Sequence, residues 1–323
     1  MAILPEREFD TARPPPSRGA SAGNAAGSVL RGGGNAAYPA AAGAIGGIVT
    51  LAVSPVVIFG VGPVPALGIA GAAWAEVAYC VAMAAVLLRA VWASSSPTRP
   101  GLRLFLPRWR YAVDVLGVSA PSAASTLLTN LTFIILTALV APFGTEAIAG
   151  YGAGVRLDYL LIPIVFGVGS ALVPLVAASD AAGDLGRVRR LIRAGAALGM
   201  GSCGLVGFAA ALFPSAWMGL FTSDAAVAGF GRSYLVRVGP TYAFLGIGLT
   251  LYFAAQGRGR MVPPLLATLT RLLLVTVLGF LGLGVLGWGI DSMFALMAFA
   301  LVVYGIVMVA VMRRELWFDA EGR

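Results

Sequence analysis

The stretch GIDSMFALMAFALVVYGIVMVAVM (289–312) decides the fold. Its one charge, Asp291, stands near the start, and Arg313 and Arg314 follow directly on its end. A helix rises about 1.5 Å per residue, so an apolar run of this length covers the ~30 Å hydrocarbon core of a bilayer. Read backwards along the chain, the pattern recurs at 262–285, 233–256, 191–213, 147–177, 112–141, 67–88 and 39–60. The expected fold class is an all-α polytopic membrane protein with about eight transmembrane helices. The two longest runs, 112–141 and 147–177, exceed one straight crossing and are expected to tilt or kink, with Pro121 and Pro163 as kink candidates.

Composition agrees with this reading. Hydrophobic residues make up 59% of the 323 positions and charged residues 11%, less than half of the roughly 25% typical of soluble domains. The mean hydropathy is +0.89. The net charge of +8 would suggest nucleic acid in a soluble domain. Here the arginines sit between apolar runs, with no basic stripe and interleaved aromatics, so no nucleic-acid partner is expected and membrane lipids are. With no histidine in the chain, the commonest metal ligand and general base are missing. Neither a metal site nor a catalytic residue is expected, and a membrane enzyme ranks last among the classes. Cys80 and Cys203 fall inside apolar runs and read as small core residues.

The 22 basic residues are all arginine. Alternate loops carry seventeen of them: Arg7, Arg13, Arg18 and Arg31 in the N-terminal tail, five over 89–111, three over 178–190, Arg258 and Arg260, and Arg313, Arg314 and Arg323 at the end. The intervening loops carry Arg232 alone. Positive charge stays on the cytoplasmic side of a membrane, so both termini are expected there, in the cell membrane. Residues 1–28, polar and rich in Pro, Ala, Gly and Ser, read as disordered and hold no secretory-signal pattern.

An internal repeat divides the chain. RGGGNAAYPAAA (31–42) is echoed by QGRGRMVPPLLA (256–267), aligning Pro39 with Pro264, and ALGIAGA (66–72) by VLGWGID (285–291). The offsets, 225 and 219, are nearly constant over a helix pair, as in two homologous halves. Four helices precede the second copy and none the first. The expected organisation is a tail (1–38), a partial first lobe of two helices (39–92) and a six-helix second lobe (102–317). Projected back, the first lobe would begin about 120 residues before Met1.

Several segments in order resemble the MATE (multidrug and toxic compound extrusion) family. They are VLRGGGNAAYP (29–39), SPVVIFGVGPVPALGIAGAAWAEV (54–77), EAIAGYGAGVRLDYLLIPIVFGVGSALVPLVA (146–177), the loop GDLGRVRRLIRAG (183–195), LFPSAWMGLFTSDAAV (212–227) and AAQGRGRMVPPLLATLTRLLL (254–274). The resemblance covers residues 29–317 and corresponds to helices five to twelve. It implies two lobes related by pseudo-two-fold symmetry and export of small organic, often cationic, compounds in exchange for Na+ or H+, with no other cofactor. A lipid-linked oligosaccharide or polysaccharide flippase of the same superfamily is the alternative. No position here matches the first-helix aspartate that couples the ion in many members. Other members place acids in helices seven and ten, where this chain has only Asp114 at an edge. Two readings stay open: a transporter whose missing helices come from another chain or an oligomer, and a non-transporting remnant or interaction protein.

Ionisable residues inside a bilayer are functional candidates, because an unpaired buried charge is costly. Glu76 and Arg271 each lie about nine residues into a helix, near mid-membrane. Glu76 reads either as a proton or cation site or as a carboxyl packed between helices. Arg271 reads best as a counter-ion for Glu76 or Asp158. Arg156 and Asp158, two apart, cannot face each other on a helix and are expected to find partners on neighbouring helices. Arg193 and Arg237 lie near predicted helix ends, where they can snorkel. Asn130, Thr129, Tyr151, Tyr242 and Gln256 are polar candidates, either lining a wet cavity, where aromatics suit cations, or joining helices. The Gly195–Gly199 pair fits close helix packing.

Overall fold

The computed structural model describes residues 18–33, 35, 37–60, 66–93 and 109–313. Among them every regular element is helical, and eight helices are long and apolar enough to cross a membrane. The basic loop over 94–108, residues 1–17 and the side chain of Asp114 lie outside the described residues.

The chain forms two compact units, divided between Pro107 and Arg108. The first holds α1 (Arg18–Gly32), α2 (Ala37–Phe59) and α3 (Gly68–Ala93). Helix α1 departs from the expectation that residues 1–28 lack order. Its alanines favour a helix, and Ala26 and Leu30 bury against Leu87 and Val91 of α3. That packing supplies what the polar composition hid.

The second unit holds α4 (Trp109–Val140), α5 (Thr145–Ala181), α6 (Leu185–Leu212), the short α7 (Pro214–Met218), α8 (Ala225–Val238), α9 (Tyr242–Gly257), α10 (Val262–Gly284) and α11 (Ile290–Val311). Helices α4 and α5 run on through Pro121, Pro163 and Pro174. The sixth span begins at Ala225, eight residues before the predicted start, because Asp224 caps it: Oδ1 accepts the backbone N–H of Ala226 at 2.8 Å and of Val227 at 3.2 Å. A 3-10 turn, Gly239–Thr241, interrupts this span and separates α8 from α9.

Helix α9 sits among α5, α6 and α11. It meets α6 at van der Waals range. A Cβ on Gly199 would lie 2.0 Å from Thr250 Oγ1, and one on Gly246 would lie 2.1 Å from the Gly199 carbonyl oxygen. Cys203 shares this buried α6 face, as a small core residue. The opposite face of α6 presents Leu205 (73% exposed), Phe208 and Leu212 outward, the pattern of a lipid-facing helix.

The repeat is visible in backbone geometry. Pro39 and Pro264 are both buried in the first turn of their helices. Gly68 and Gly287, 219 apart, both take left-handed φ values, +53° and +61°, a conformation that disfavours any Cβ.

Candidate functional site

Four helices, α5, α8, α9 and α11, bring the site together in the second unit. On α5, Tyr151 and Asp158 are seven residues apart, two turns along one face, and both are buried. The 3-10 break before α9 carries Tyr234 and Tyr242 to the same point: their hydroxyl oxygens are 3.3 Å apart. The Tyr242 hydroxyl donates to Asp158 Oδ1. Rings close the rest. Tyr234 meets Tyr151 edge-on at 5.4 Å, and Phe294 of α11 at 5.5 Å. A carboxyl thus stands 5% exposed inside a box of tyrosine and phenylalanine rings.

Arg271 on α10 lies in the same region. It is 8% exposed, its guanidinium carbon is 5.9 Å from the centre of the Tyr304 ring, and its Nε has no hydrogen-bond partner among the described residues. It is near enough for its charge to act on Asp158. Among the described residues Arg237 pairs with Asp291 and Arg258 with Asp180, each at 3.1 Å. Arg271, read as a counter-ion for Glu76 or Asp158, forms a direct ion pair with neither among the described residues; the Tyr242 hydroxyl is the group that holds Asp158 Oδ1.

An open-sided cavity of about 850 Å³ adjoins this region through Tyr159, which follows Asp158, and Tyr304, which meets Arg271; Asp158 and Arg271 themselves do not line it. One wall is a polar stripe of α4: Ser125, Thr129, Asn130 and Thr137, with Phe133 among them. Tyr159 of α5, Tyr252 and Phe253 of α9, Thr268 of α10 and Tyr304 of α11 complete it. The threonine and serine hydroxyls of the stripe donate to backbone carbonyls one turn earlier, and Asn130 Nδ2 does the same to Thr126 O at 2.9 Å. Their oxygens stay free to accept from a solute.

The other candidates separate from this cluster. Arg156, exposed on α5, lays its guanidinium 4.9 Å from the Phe221 ring centre, on the other side of the helix from Asp158. Gln256 is in the last turn of α9, about 21 Å along the helix from Tyr242 at 1.5 Å per residue. Glu76 belongs to the first unit, exposed on α3, where the Cys80 thiol reaches its Oε1 at 3.8 Å. Arg237, expected close to a helix end, lies in the last turn of α8, where Asp291 of α11 holds it. Tyr234, Phe294, Tyr304 and Thr268 were not singled out in the sequence. Tyr234 and Tyr242 are eight apart across a break, a spacing with no periodic signature.

The family model described as MatE matches residues 121–281. A probable multidrug resistance protein NorM of Thermotoga maritima is 26% identical over 241 residues, 74% of this chain and 52% of that protein. An FAD transporter of Shewanella oneidensis is 27% identical over 247 residues, 76% and 54% respectively. The multidrug export protein MepA of Staphylococcus aureus is 27% identical over 217 residues, 66% and 47%. This chain spans about half the length of these curated relatives. Among solved structures, a mutant of the Vibrio cholerae MATE transporter VcmN superposes with a TM-score of 0.83 at 23% identity, over 98% of this chain and 72% of that one.

Proposed function

This chain belongs to the MATE family, and from that premise we propose that its six-span unit is the cargo- and ion-binding lobe of a secondary antiporter that exports organic compounds in exchange for inward Na+ or H+. One observation carries the reading: a buried carboxyl, Asp158, held by the Tyr242 hydroxyl beside a cavity large enough for a drug-sized molecule. A bilayer-buried acid is expensive to keep. Its use as a carrier of the coupling cation explains its presence where the family's usual acidic positions are unfilled. The broken α8–α9 span fits the same role, since interrupted helices supply polar groups at transporter sites. The relatives' names include both multidrug export and FAD transport, which supports organic cargo of varied charge.

The test is flux in proteoliposomes. An imposed H+ or Na+ gradient drives counter-movement of a panel of cationic and acidic fluorescent dyes, and Asp158→Asn, which keeps the hydrogen-bond acceptor, lowers the driven flux at least tenfold. Absence of any gradient-dependent flux with the wild-type chain would remove the antiport reading.

A further inference from the structure

We propose that Arg271 is the docking point for an acidic group on the cargo, so that the lobe recognises an organic acid with a flat aromatic body. This deepens the reading of the cavity as a cargo site and rests on it.

Among the described residues this guanidinium has a ring beside it but no ion-pair partner. Arg271 is more than nine-tenths buried, its Nε lacks a hydrogen-bond partner among the described residues, and Asp158, bound to Tyr242, is not ion-paired with it. A guanidinium offers five N–H donors in a planar fork and cannot lose its charge, so the bilayer interior gives it strong reason to take an anion. It stands directly behind the cavity wall. Its guanidinium lies against the ring of Tyr304, and Thr268 stands one turn before it on α10; both residues line the cavity wall. Tyr159, stacked on Phe133 at 6.3 Å, and Tyr252 give ring faces for an aromatic body. A carboxylate or phosphate at Arg271 would complete the fork with paired, charge-assisted hydrogen bonds.

Two xanthene dyes of similar shape and opposite charge, fluorescein and rhodamine 6G, test this by fluorescence anisotropy on the full chain in detergent. Fluorescein is expected to bind at least tenfold more tightly than rhodamine 6G. Arg271→Gln should weaken fluorescein at least tenfold, and Arg271→Lys should weaken it less. Removing a buried charge that the protein does not pair should leave the melting temperature unchanged or raised. Tighter rhodamine binding, unchanged fluorescein affinity in Arg271→Gln, or a melting temperature several degrees lower in that variant would each overturn the proposal. The last would mean that the fold already satisfies Arg271. Added phosphatidylglycerol assigns the source: displacement of the dye makes the acid a lipid headgroup, and persistence makes it a soluble cargo. Binding needs no gradient. A chain that binds fluorescein but moves nothing sinks only antiport, and one that exports rhodamine while ignoring fluorescein sinks only the role of Arg271.

Discussion

At the scale of single residues, the site depends on what each buried polar atom finds. Asp158 is tolerable inside α5 because Tyr242 donates to it and Tyr234 lies beside that hydroxyl. Tyr242→Phe removes the donor and strands a buried acceptor, which costs about 1–3 kcal/mol. Thermal unfolding in detergent should show that loss, and Asp158→Asn, still able to accept from Tyr242, should show a smaller one. An equal or larger loss for Asp158→Asn would mean that the charge and not the hydrogen bond holds the box. Arg156, two residues away, has an exposed partner in Phe221, and such a cation–π contact contributes roughly 0.5–1 kcal/mol. The sequence distinguished these two correctly as pointing apart, because helical geometry fixes that at a separation of two.

At the scale of elements, α6 and α9 are the pair on which the lobe's packing turns. Small residues let the backbones approach, and in a bilayer, where apolar lipid competes with apolar helix, dispersion from close packing is a main source of association. Gly199→Val would drive its side chain into Thr250 and the Gly246 carbonyl, where a Cβ already has no room. Loss of a monodisperse peak in detergent is the expected result. Gly201 is the control: nothing lies within 4 Å of a Cβ there. Gly201→Ala should keep the fold and raise stability by about 0.5–1 kcal/mol through helix propensity. A normal profile for Gly199→Val would mean that α6 and α9 do not meet as described. The GLY-x-x-x-GLY spacing at 195–199 announced a contact face, but its partner on α9 could not be read from it.

At the scale of the molecule, the arginine distribution predicts the orientation. The loop at 182–184 precedes Arg187, Arg189 and Arg190, whereas the loop at 219–224 carries no basic residue. With arginine kept inside, Ser223→Cys should react with a membrane-impermeant maleimide on intact cells, and Ala182→Cys only after permeabilisation. The reverse pattern would invert the topology. One ion pair joins elements near each of these two ends of the lobe, Arg258–Asp180 where α5 and α9 finish and Arg237–Asp291 where α11 begins.

Sequence alone determined the membrane class, the number of spans and the repeat. Hydropathy is a sum over some twenty neighbouring residues, and a repeat is a comparison of the chain with itself, so neither needs any knowledge of which helix touches which. It missed α1, whose order comes from burial against α3, and the early start of α8, whose capping aspartate lay in what looked like a loop. Tertiary structure alone decided the site. Asp158 and Tyr242 are 84 residues apart, and whether they meet depends on the rotation of α5, the 3-10 break at Gly239–Thr241 and the fit of α9 against α6. The same packing set Asp158 against a tyrosine and left the Arg271 Nε without a hydrogen-bond partner among the described residues. A hydrogen bond or ion pair forms over about 3 Å, and no pattern along one strand of sequence specifies distances between separate helices to that tolerance.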